Sequence, residues 1–263
     1  MPIRKSRKRL ASRTIALASA CLMLALAWQS TSADELPELV LNDANSAPFT
    51  TEAGNGLVDI VAKEAFRRAG LRLKLVRLPA ERALINANAG IEDGEVSRIA
   101  GIEKAYPNLI PVPERLVEHH FVALTRHAEL KQANWDTLMP YSVGHIRGHK
   151  IFESSLKPGT QITTVGTAEQ LMNMLDKGRI DIALYRRWEG IALAEKMGIK
   201  NIHVIEPSLA EKEVFIYLHK RHADKIPAIA AALRAIKAEG LFARTCREAF
   251  AEFKPLPAQC SKY

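Results

Sequence analysis

The sequence predicts an α/β fold in which a largely parallel sheet carries helices on both faces. Short apolar strands alternate with amphipathic helices along residues 39–90, and the same alternation returns along residues 141–205. The composition agrees, because 263 residues with 48% hydrophobic and 25% charged side chains are typical of a globular protein with a sizeable core. One architecture is therefore expected to be built twice.

The first unit is read from apolar spacing and from the residues that begin and end helices. Its elements, in chain order, are a strand over 39–41, a helix over 56–69, a strand over 71–76 and a helix over 80–89. Gly70 and Gly90 end the two helices, and Pro79 opens the second. Ligands bind open α/β sheets beyond the carboxyl ends of the strands, which indicates three loops: 45–49, the turn at Pro79 and 93–98.

The second unit follows an apolar segment over 120–125. Its elements are a strand over 141–146, a helix start over 150–156, a strand over 161–165, a helix over 167–177 and a strand over 180–184, continued by segments over 192–197 and 202–205. A strand over 214–218 leads back to the first unit. The last helix, over 223–240, has one apolar face and one face of mixed charge, which favours packing against the protein over membrane binding.

The first 33 residues have the features of a secretory signal peptide. Six basic residues precede an apolar run over 14–28, and the first 33 residues contain no acidic residue. The run is shorter than the roughly 20 residues that a membrane-spanning helix needs. Small residues at Thr31 and Ala33 suit cleavage near Ala33, so we expect a periplasmic protein. Removing these six of the 37 basic residues leaves 31 against 29 acidic ones, and the charge argument for nucleic-acid binding is lost.

Cleavage there would also remove Cys21, leaving Cys246 and Cys260 as an even pair. In an oxidising compartment such a pair predicts a disulfide, which the chain-entropy estimate values at about 3 kcal/mol. Two free thiols are the alternative. No histidine lies at ligand spacing from either cysteine, so no metal site is expected there.

Five segments together resemble the periplasmic solute-binding protein family 3, the receptors of amino-acid-type ABC importers. These segments are Ala-Pro-Phe at 47–49, Asn-Gly-Leu-Val-Asp-Ile-Val at 55–61, Ala-Gly-Ile-Glu-Asp-Gly at 89–94, Val-Gly to Gly at 143–148 and Leu-Asp-Lys-Gly-Arg-Ile-Asp-Ile-Ala at 175–183. Each motif alone is weak, whereas their order and spacing are fairly specific.

The resemblance implies the two-lobed type II periplasmic-binding-protein fold, with a ligand cleft between the lobes. It implies a first lobe over 34–125, a second over 126–213, and a return segment with the tail over 214–263. The crossovers would fall near 124–126 and 214–217. A protein of this kind is a monomer that captures a small polar solute, closes over it and presents it to a membrane permease, without a cofactor.

In the first lobe, the resemblance implies that Arg98 grips a ligand carboxylate. A guanidinium suits that task, because its planar fork matches a carboxylate through two parallel hydrogen bonds. The alternative is an exposed pair of Arg98 with Glu95. Arg82, on the preceding helix, is a second candidate, and an ordinary surface charge is its alternative.

In the second lobe, the resemblance implies that backbone amides at Gly148 and His149 receive an anion at a helix start. The family usually has an aspartate for the ligand's ammonium where this chain has Arg186. An arginine there would repel an ammonium and attract a second anionic group, which favours an acidic or non-standard solute. Alternatively, Arg186 turns outward and Glu189 serves instead.

Aromatic walls usually enclose the solute in such clefts, and Phe49, Tyr185 and Trp188 are the candidates. For Trp188, a place in the core is an equal alternative.

Two other function classes remain. A periplasmic sensor or accessory module would use the same cleft, and the lack of a long C-terminal extension favours a free receptor. An enzyme would need acid–base groups, for which Glu95, Glu114, His119 and His120 are available. The sequence shows no nucleophile elbow, no metal-spaced histidine cluster and no phosphate loop, so a non-enzyme is expected.

Overall fold

The computed structural model describes residues 36–262, so the predicted signal peptide and Cys21 lie outside the described residues. The strands are β1 (Glu38–Asn42), β2 (Arg72–Val76), β3 (Gly94–Ile99), β4 (Leu109–Pro111), β5 (Val117–Thr125), β6 (Ser142–Ile146), β7 (Gln161–Val165), β8 (Ile182–Arg186) and β9 (His203–His219). The helices are α1 (Leu57–Arg68), α2 (Ala80–Ala89), α3 (Lys150–Ser155), α4 (Ala168–Asp176), α5 (Arg187–Lys196), α6 (Ile226–Ala238) and α7 (Leu241–Ala249).

The strands form one sheet that contains the same arrangement twice. Its order is β2-β1-β3-β9-β5-β8-β6-β7, with β4 paired to β9. In the first half β1 lies between β2 and β3, and in the second half β6 lies between β7 and β8, with parallel pairing in all four cases. The antiparallel strands β5 and β9 join the halves. The predicted repetition of an α/β unit is confirmed.

The long ribbon of β5 and β9 changes register where it passes between the halves. Phe121 pairs with Ala210, whereas Ala123 pairs with Ile205, so the four residues of β9 between them have no partner in β5. Extra residues in one strand bend a ribbon locally. The lobe boundaries at 125 and 213, and the crossovers near 124–126 and 214–217, stay predictions.

Each half has its own apolar core. In the first half, α1 and α6 cover the sheet with Val58, Phe66 and Leu233, all fully buried. In the second half, Phe152 and Leu184 pack in one cluster on one face of the sheet. Leu171, Met172 and Leu175 of α4 pack in another cluster.

The helix ends follow from local chemistry. Asp59 in the first turn of α1 accepts hydrogen bonds from the backbone amides of Thr51 and Gly56, at 2.8 and 3.1 Å. Thr167 caps α4 by accepting from the amide of Gln170 at 3.2 Å. Gly90 ends α2 in the left-handed conformation, with φ 75°. The predicted bounds of α1 and α2 are therefore confirmed to within a residue.

Two expectations for the elements are wrong. Residues 93–98, expected as a loop, belong largely to β3, because this segment completes the sheet between β1 and β9. The two segments over 202–205 and 214–218 are parts of the single strand β9. The helix expected over 223–240 is confirmed as α6, with the predicted apolar face buried, but its first turn belongs to a 3₁₀ segment, Lys220–Lys225, and the unpredicted helix α7 follows it.

The predicted disulfide is confirmed. Cys246 of α7 is bonded to Cys260, and both residues are fully buried. The bridge attaches the C-terminal segment to the first half. None of the helices described is long and apolar enough to span a membrane.

Candidate functional site

A cavity of about 50 Å³ lies where the two halves of the sheet meet. Polar side chains from four places along the chain line it: Ser97 and Arg98 of β3, His119 of β5, His149 and Lys150 at the start of α3, and Arg186 at the end of β8. Apolar side chains complete the walls. The strand order places these distant segments together, since β5 belongs to the central ribbon and β3 and β8 flank that ribbon.

Arg98 lines the cavity and is buried, with 8% of its surface exposed. The pairing of β3 with β9 shifts between Glu95 and Arg98. Nε of Arg98 donates to Oε2 of Glu95 at 2.7 Å, and Nη2 donates to the carbonyl oxygen of Ala80 at 3.1 Å. The pair with Glu95 exists but is buried, so the predicted alternative of an exposed surface pair is wrong. Within the described residues Nη1 has no hydrogen-bond partner, which leaves its two N–H donors for a ligand.

Glu95 is almost fully enclosed beside this arginine. Burial raises the pKa of its carboxyl to about 7, although the charge and hydrogen bond of Arg98 act in the opposite direction. Its second oxygen, Oε1, is buried without a hydrogen-bond partner. Near neutral pH, the Arg98 charge is therefore only partly compensated.

Arg186 also lines the cavity, and it connects the two halves. Its Nη1 donates to Oδ1 of Asn45 at 2.8 Å, and Nη2 donates to the carbonyl oxygen of Ala44 at 2.7 Å. Nη2 also pairs with Oε1 of Glu189 at 2.8 Å. The backbone amide of Ser46 donates to the same Glu189 oxygen at 3.3 Å. Arg186 thus faces inward, so the alternative in which it turns outward is wrong. Its guanidinium is paired with Glu189, so it is also not the unpaired second anion site that was expected.

Glu189 is completely buried next to Arg186. Burial raises the pKa of its carboxyl to about 7, against the opposing charge of the guanidinium. Glu189 does not line the cavity; with Ser46 it lines a separate groove of about 350 Å³. Arg186 therefore borders the inner cavity, whereas its partner Glu189 borders the outer groove.

Gly148 brings the second half against the first half at the start of α2. A Cβ atom at Gly148 would lie 2.4 Å from the backbone nitrogen of Glu81, and φ of Gly148 is +84°. Its amide donates to Oε1 of Glu153 at 2.7 Å, while the amide of His149 donates to the carbonyl oxygen of Ile146 at 3.2 Å. Both amides are used within the protein, so their predicted role as an anion site is corrected, although both residues line the cavity.

Lys150 makes a second contact between the halves at the same place. Its Nζ donates to Oε2 of Glu81 at 2.5 Å and to Oε2 of Glu153 at 3.0 Å. The hydroxyl of Tyr106 donates to the other oxygen of Glu81 at 3.2 Å. The two halves are therefore closed onto each other by polar contacts on both sides of the cavity.

Two neutral histidines complete the polar wall. Burial, followed by a neighbouring guanidinium charge, holds the pKa of His119 and of His149 well below the usual value. Nε2 of His119 lies 3.2 Å from Oδ1 of Asn45. His149 stacks on Tyr185 with ring centroids 5.8 Å apart. Tyr185 is buried behind His149, with its hydroxyl 3.5 Å from Oγ of Ser46, and does not line the cavity.

The other three predicted residues lie elsewhere. Phe49 is fully buried in the core, with its ring edge-on to His119 at 4.5 Å and to Phe250 at 5.2 Å. Trp188 packs edge-on against Phe250 at 5.9 Å, in agreement with its predicted alternative in the core. Arg82 is exposed on α2 and does not line the cavity. The aromatic walls were predicted because these residues lie close in sequence to the expected ligand loops. Closeness in sequence does not show whether a side chain on such a loop points into the cleft or into the core.

Sequence reasoning missed the lining role of His119 and Lys150, and the acceptors at Ala44 and Asn45. His119 was considered only as an acid–base group. Residues 45–49 were predicted as a ligand loop, but the partner of Asn45 lies 141 residues away. Arg186 itself carried the signal, since a cation at that position of the motif requires acceptors around it.

One group of possible metal ligands lies away from the cavity, on the ribbon of β5 and β9. Donor atoms of Glu118, His120 and Glu211 lie within 4.8 Å of one another. The two ring nitrogens of His120 face different carboxylates, at 3.3 and 3.1 Å, and one ion cannot bind both nitrogens. The other oxygen of Glu118 pairs with Lys262 at 3.1 Å. This arrangement is that of a surface ion-pair cluster.

Comparisons with known proteins identify the fold. No protein-family model matches the chain. An uncharacterized protein of Shewanella oneidensis is 27% identical over 207 residues, which cover 74% of this chain and 76% of that protein.

The similar solved structures are binding proteins and a sensor domain. A mutant of ArgBP from T. maritima has a TM-score of 0.70 at 19% identity, over 81% of this chain and 95% of that one. The substrate-binding protein AbpA of Streptococcus pneumoniae, bound to L-arginine, has a TM-score of 0.68 at 15% identity, over 81% and 94%. A histidine kinase sensor domain similar to periplasmic binding proteins has a TM-score of 0.71 at 14% identity, over 84% and 97%.

The fold that the resemblance implied is thus confirmed: the chain has the two-lobed periplasmic-binding-protein fold, which is also the fold of substrate-binding proteins of amino acid ABC transporters.

Proposed function

We propose that this protein is a periplasmic receptor that captures a small carboxylate-bearing solute between its lobes and delivers it to the permease of an ABC importer. The observation that carries the proposal is the pair of buried arginines in one cavity, Arg98 from the first half and Arg186 from the second. A ligand carboxylate between them would contact both lobes at once. It would therefore favour the closed arrangement over an open one.

The proposed mechanism starts with an open form, in which the contacts between Gly148 and Glu81 and between Arg186 and Asn45 are broken. The ligand docks on Arg98, whose free Nη1 offers a charge-assisted hydrogen bond. The second half then rotates on the β5/β9 ribbon and brings Arg186 and His149 over the ligand. The closed form would present both lobes to the permease as one surface. We expect the protein to act as a monomer without a cofactor.

A ligand screen by thermal unfolding tests the proposal, because a ligand that binds the folded state raises stability by RT ln(1 + [L]/Kd). The purified protein is screened against monocarboxylates, dicarboxylates, amino acids, sugar acids and polyamines. We expect a carboxylate-bearing compound to raise the melting temperature, and the Arg98→Ala variant to lose that shift. Loss of one charged hydrogen-bonding group weakens binding by about tenfold or more.

The matched control is Arg82→Ala, because Arg82 is an exposed arginine of the same region outside the cavity. It should bind as the unmodified protein does. Unfolding curves without ligand show whether Arg98→Ala still folds with Glu95 unpaired; the Arg98→Lys variant, which keeps the charge, replaces it if it does not. Equal affinity for the unmodified protein and a folded Arg98 variant contradicts the site.

A sensor that uses the same closure is the second candidate. The fold is shared with a histidine kinase sensor domain, so the fold does not separate the two functions. Uptake of the identified ligand by cells that lack the protein separates them: a receptor for import is required for uptake, and a sensor is not.

A further inference from the structure

We infer that the cavity selects small carboxylates that carry no ammonium group, so that its ligands are simple organic acids and α-amino acids are rejected. The inference rests on the proposed ligand-binding function and concerns the chemical class of the ligand. It is carried by the kinds of charge that line the cavity and by the contacts of Arg186.

The charged side chains that line the cavity are all cations. They are Arg98, Lys150 and Arg186, and no carboxylate of the described residues lines it. The two histidines in the wall are neutral, because burial holds their pKa values low. A ligand anion would meet two guanidinium groups, whereas a ligand ammonium would lose its water without gaining an anionic partner. Burial of an unpaired charge costs several kcal/mol.

Three acceptors beside the cavity that could hold an ammonium are already used by Arg186. The carbonyl oxygen of Ala44, Oδ1 of Asn45 and Oε1 of Glu189 all lie within 2.7 to 2.8 Å of its guanidinium nitrogens. Arg186 therefore supplies within the protein the positive charge that the ammonium of an amino acid would supply from the ligand. Because both of its terminal nitrogens are engaged, Arg186 does not form the second full anion site expected from the sequence.

Both arginines keep a donor for a ligand carboxylate. The hydrogen bonds of Arg98 within the described residues are made by Nε and Nη2 and leave Nη1 without a partner, and Nε of Arg186 is buried without a hydrogen-bond partner. The other walls include Leu84, Ile102 and Phe121, which suit an apolar body. The cavity has room for only a few water-sized groups in the closed form, so the ligand is small.

Matched pairs of compounds test the inference by titration calorimetry near pH 7. Propanoate is compared with alanine, butanoate with 2-aminobutanoate, and 4-methylpentanoate with leucine, so that each pair differs at the α-ammonium alone. We expect the plain carboxylate of at least one pair to bind about tenfold or more tightly than its amino acid. An amino acid that binds as tightly as its partner overturns the inference while leaving the receptor function in place. If no carboxylate of any class binds, the proposed function itself is wrong.

The Arg186→Met variant tests the assigned cause. Without the guanidinium, Glu189, Asn45 and the Ala44 carbonyl lose their cationic partner and can accept from a ligand ammonium, so the preference should move towards the amino acid of each pair. Arg187→Gln is the matched control, because Arg187 is the adjacent arginine, pairs with Glu206 outside the cavity and should leave the preference unchanged. Arg186→Lys, which keeps a cation in place, should retain the preference for plain carboxylates and serves if Arg186→Met does not fold. An unchanged preference in a folded Arg186→Met variant contradicts the role of Arg186.

Discussion

Glu189 shows how one buried side chain links the candidate site to the stability of the protein. Its native pKa of about 7 lies above the ordinary value of 4.5, because burial outweighs its pairing with Arg186. Between these two values the native state binds more protons than the unfolded state, so this group lowers the free energy of unfolding as pH rises. His119 and His149 act in the opposite direction. Their lowered pKa values remove stability as pH falls below 6.5.

The Glu189→Gln variant separates the pH effect of the Glu189 carboxyl from that of the histidines. The unmodified protein and the variant both retain His119 and His149, so the histidine contributions cancel when the two are compared. The amide resembles the protonated acid, so the variant should match the unmodified protein at about pH 4 and become more stable than it as pH rises through 7. The difference should reach on the order of 2 to 3 kcal/mol. Thermal unfolding measured from about pH 4 to pH 8 gives this difference.

Glu206→Gln is the control for this measurement. Glu206 is an exposed partner of Arg187, and its hydrogen bond to that arginine lowers its pKa, so its loss should produce a small change of the opposite sign. If Glu189→Gln is the less stable protein at pH 8, the ionised pair with Arg186 is favourable and the raised pKa is wrong.

At the scale of elements, the contact between the start of α3 and the start of α2 closes the cavity. Gly148 makes this contact possible, since a side chain there would overlap the backbone of Ala80 and Glu81. Lys150 and Glu81 add an ion pair across the same contact. The affinity for ligand should therefore depend on the absence of a Cβ atom at one position.

Gly148→Ala should reduce the affinity for the identified carboxylate by about tenfold or more, because the variant closes incompletely. Gly178→Ala is the matched control: Gly178 also has a positive φ, +60°, but nothing lies within 4 Å of its added Cβ. Both variants should lose about 1 to 2 kcal/mol of stability from the left-handed backbone. Calorimetry and thermal unfolding together separate the two effects. Equal affinities in the two variants would show that this contact does not control closure.

The elements predictable from the sequence are those stabilised by nearby residues. The helix α2 could be predicted because Pro79 and Gly90 mark its two ends in the local sequence. The disulfide could be predicted because only two cysteines remain after the expected signal peptide is removed. The strand β3 was missed because its pairing partner β9 lies more than 100 residues further along the chain. The motifs led to Arg98 and Arg186, but their partners depend on how the two halves pack, which local patterns do not encode.

At the scale of the whole molecule, the sheet explains why one site can draw on both halves. Two parallel three-stranded groups are joined by one antiparallel ribbon, so the ends of β3 and β8 meet across it. Each half has its own buried cluster, so the proposed closure would require little rearrangement within either core. We expect ligand binding to change the position of one half relative to the other and to leave both cores intact.

We propose that a small carboxylate binds between Arg98 and Arg186 in the closed cleft. The most direct test is a crystal structure of the protein with the carboxylate that gives the largest thermal shift. We expect the carboxylate to lie within hydrogen-bond distance of Nη1 of Arg98 and Nε of Arg186, with the contact of Gly148 and Glu81 closed. A ligand bound outside this cavity, or one whose carboxylate contacts neither arginine, would contradict it.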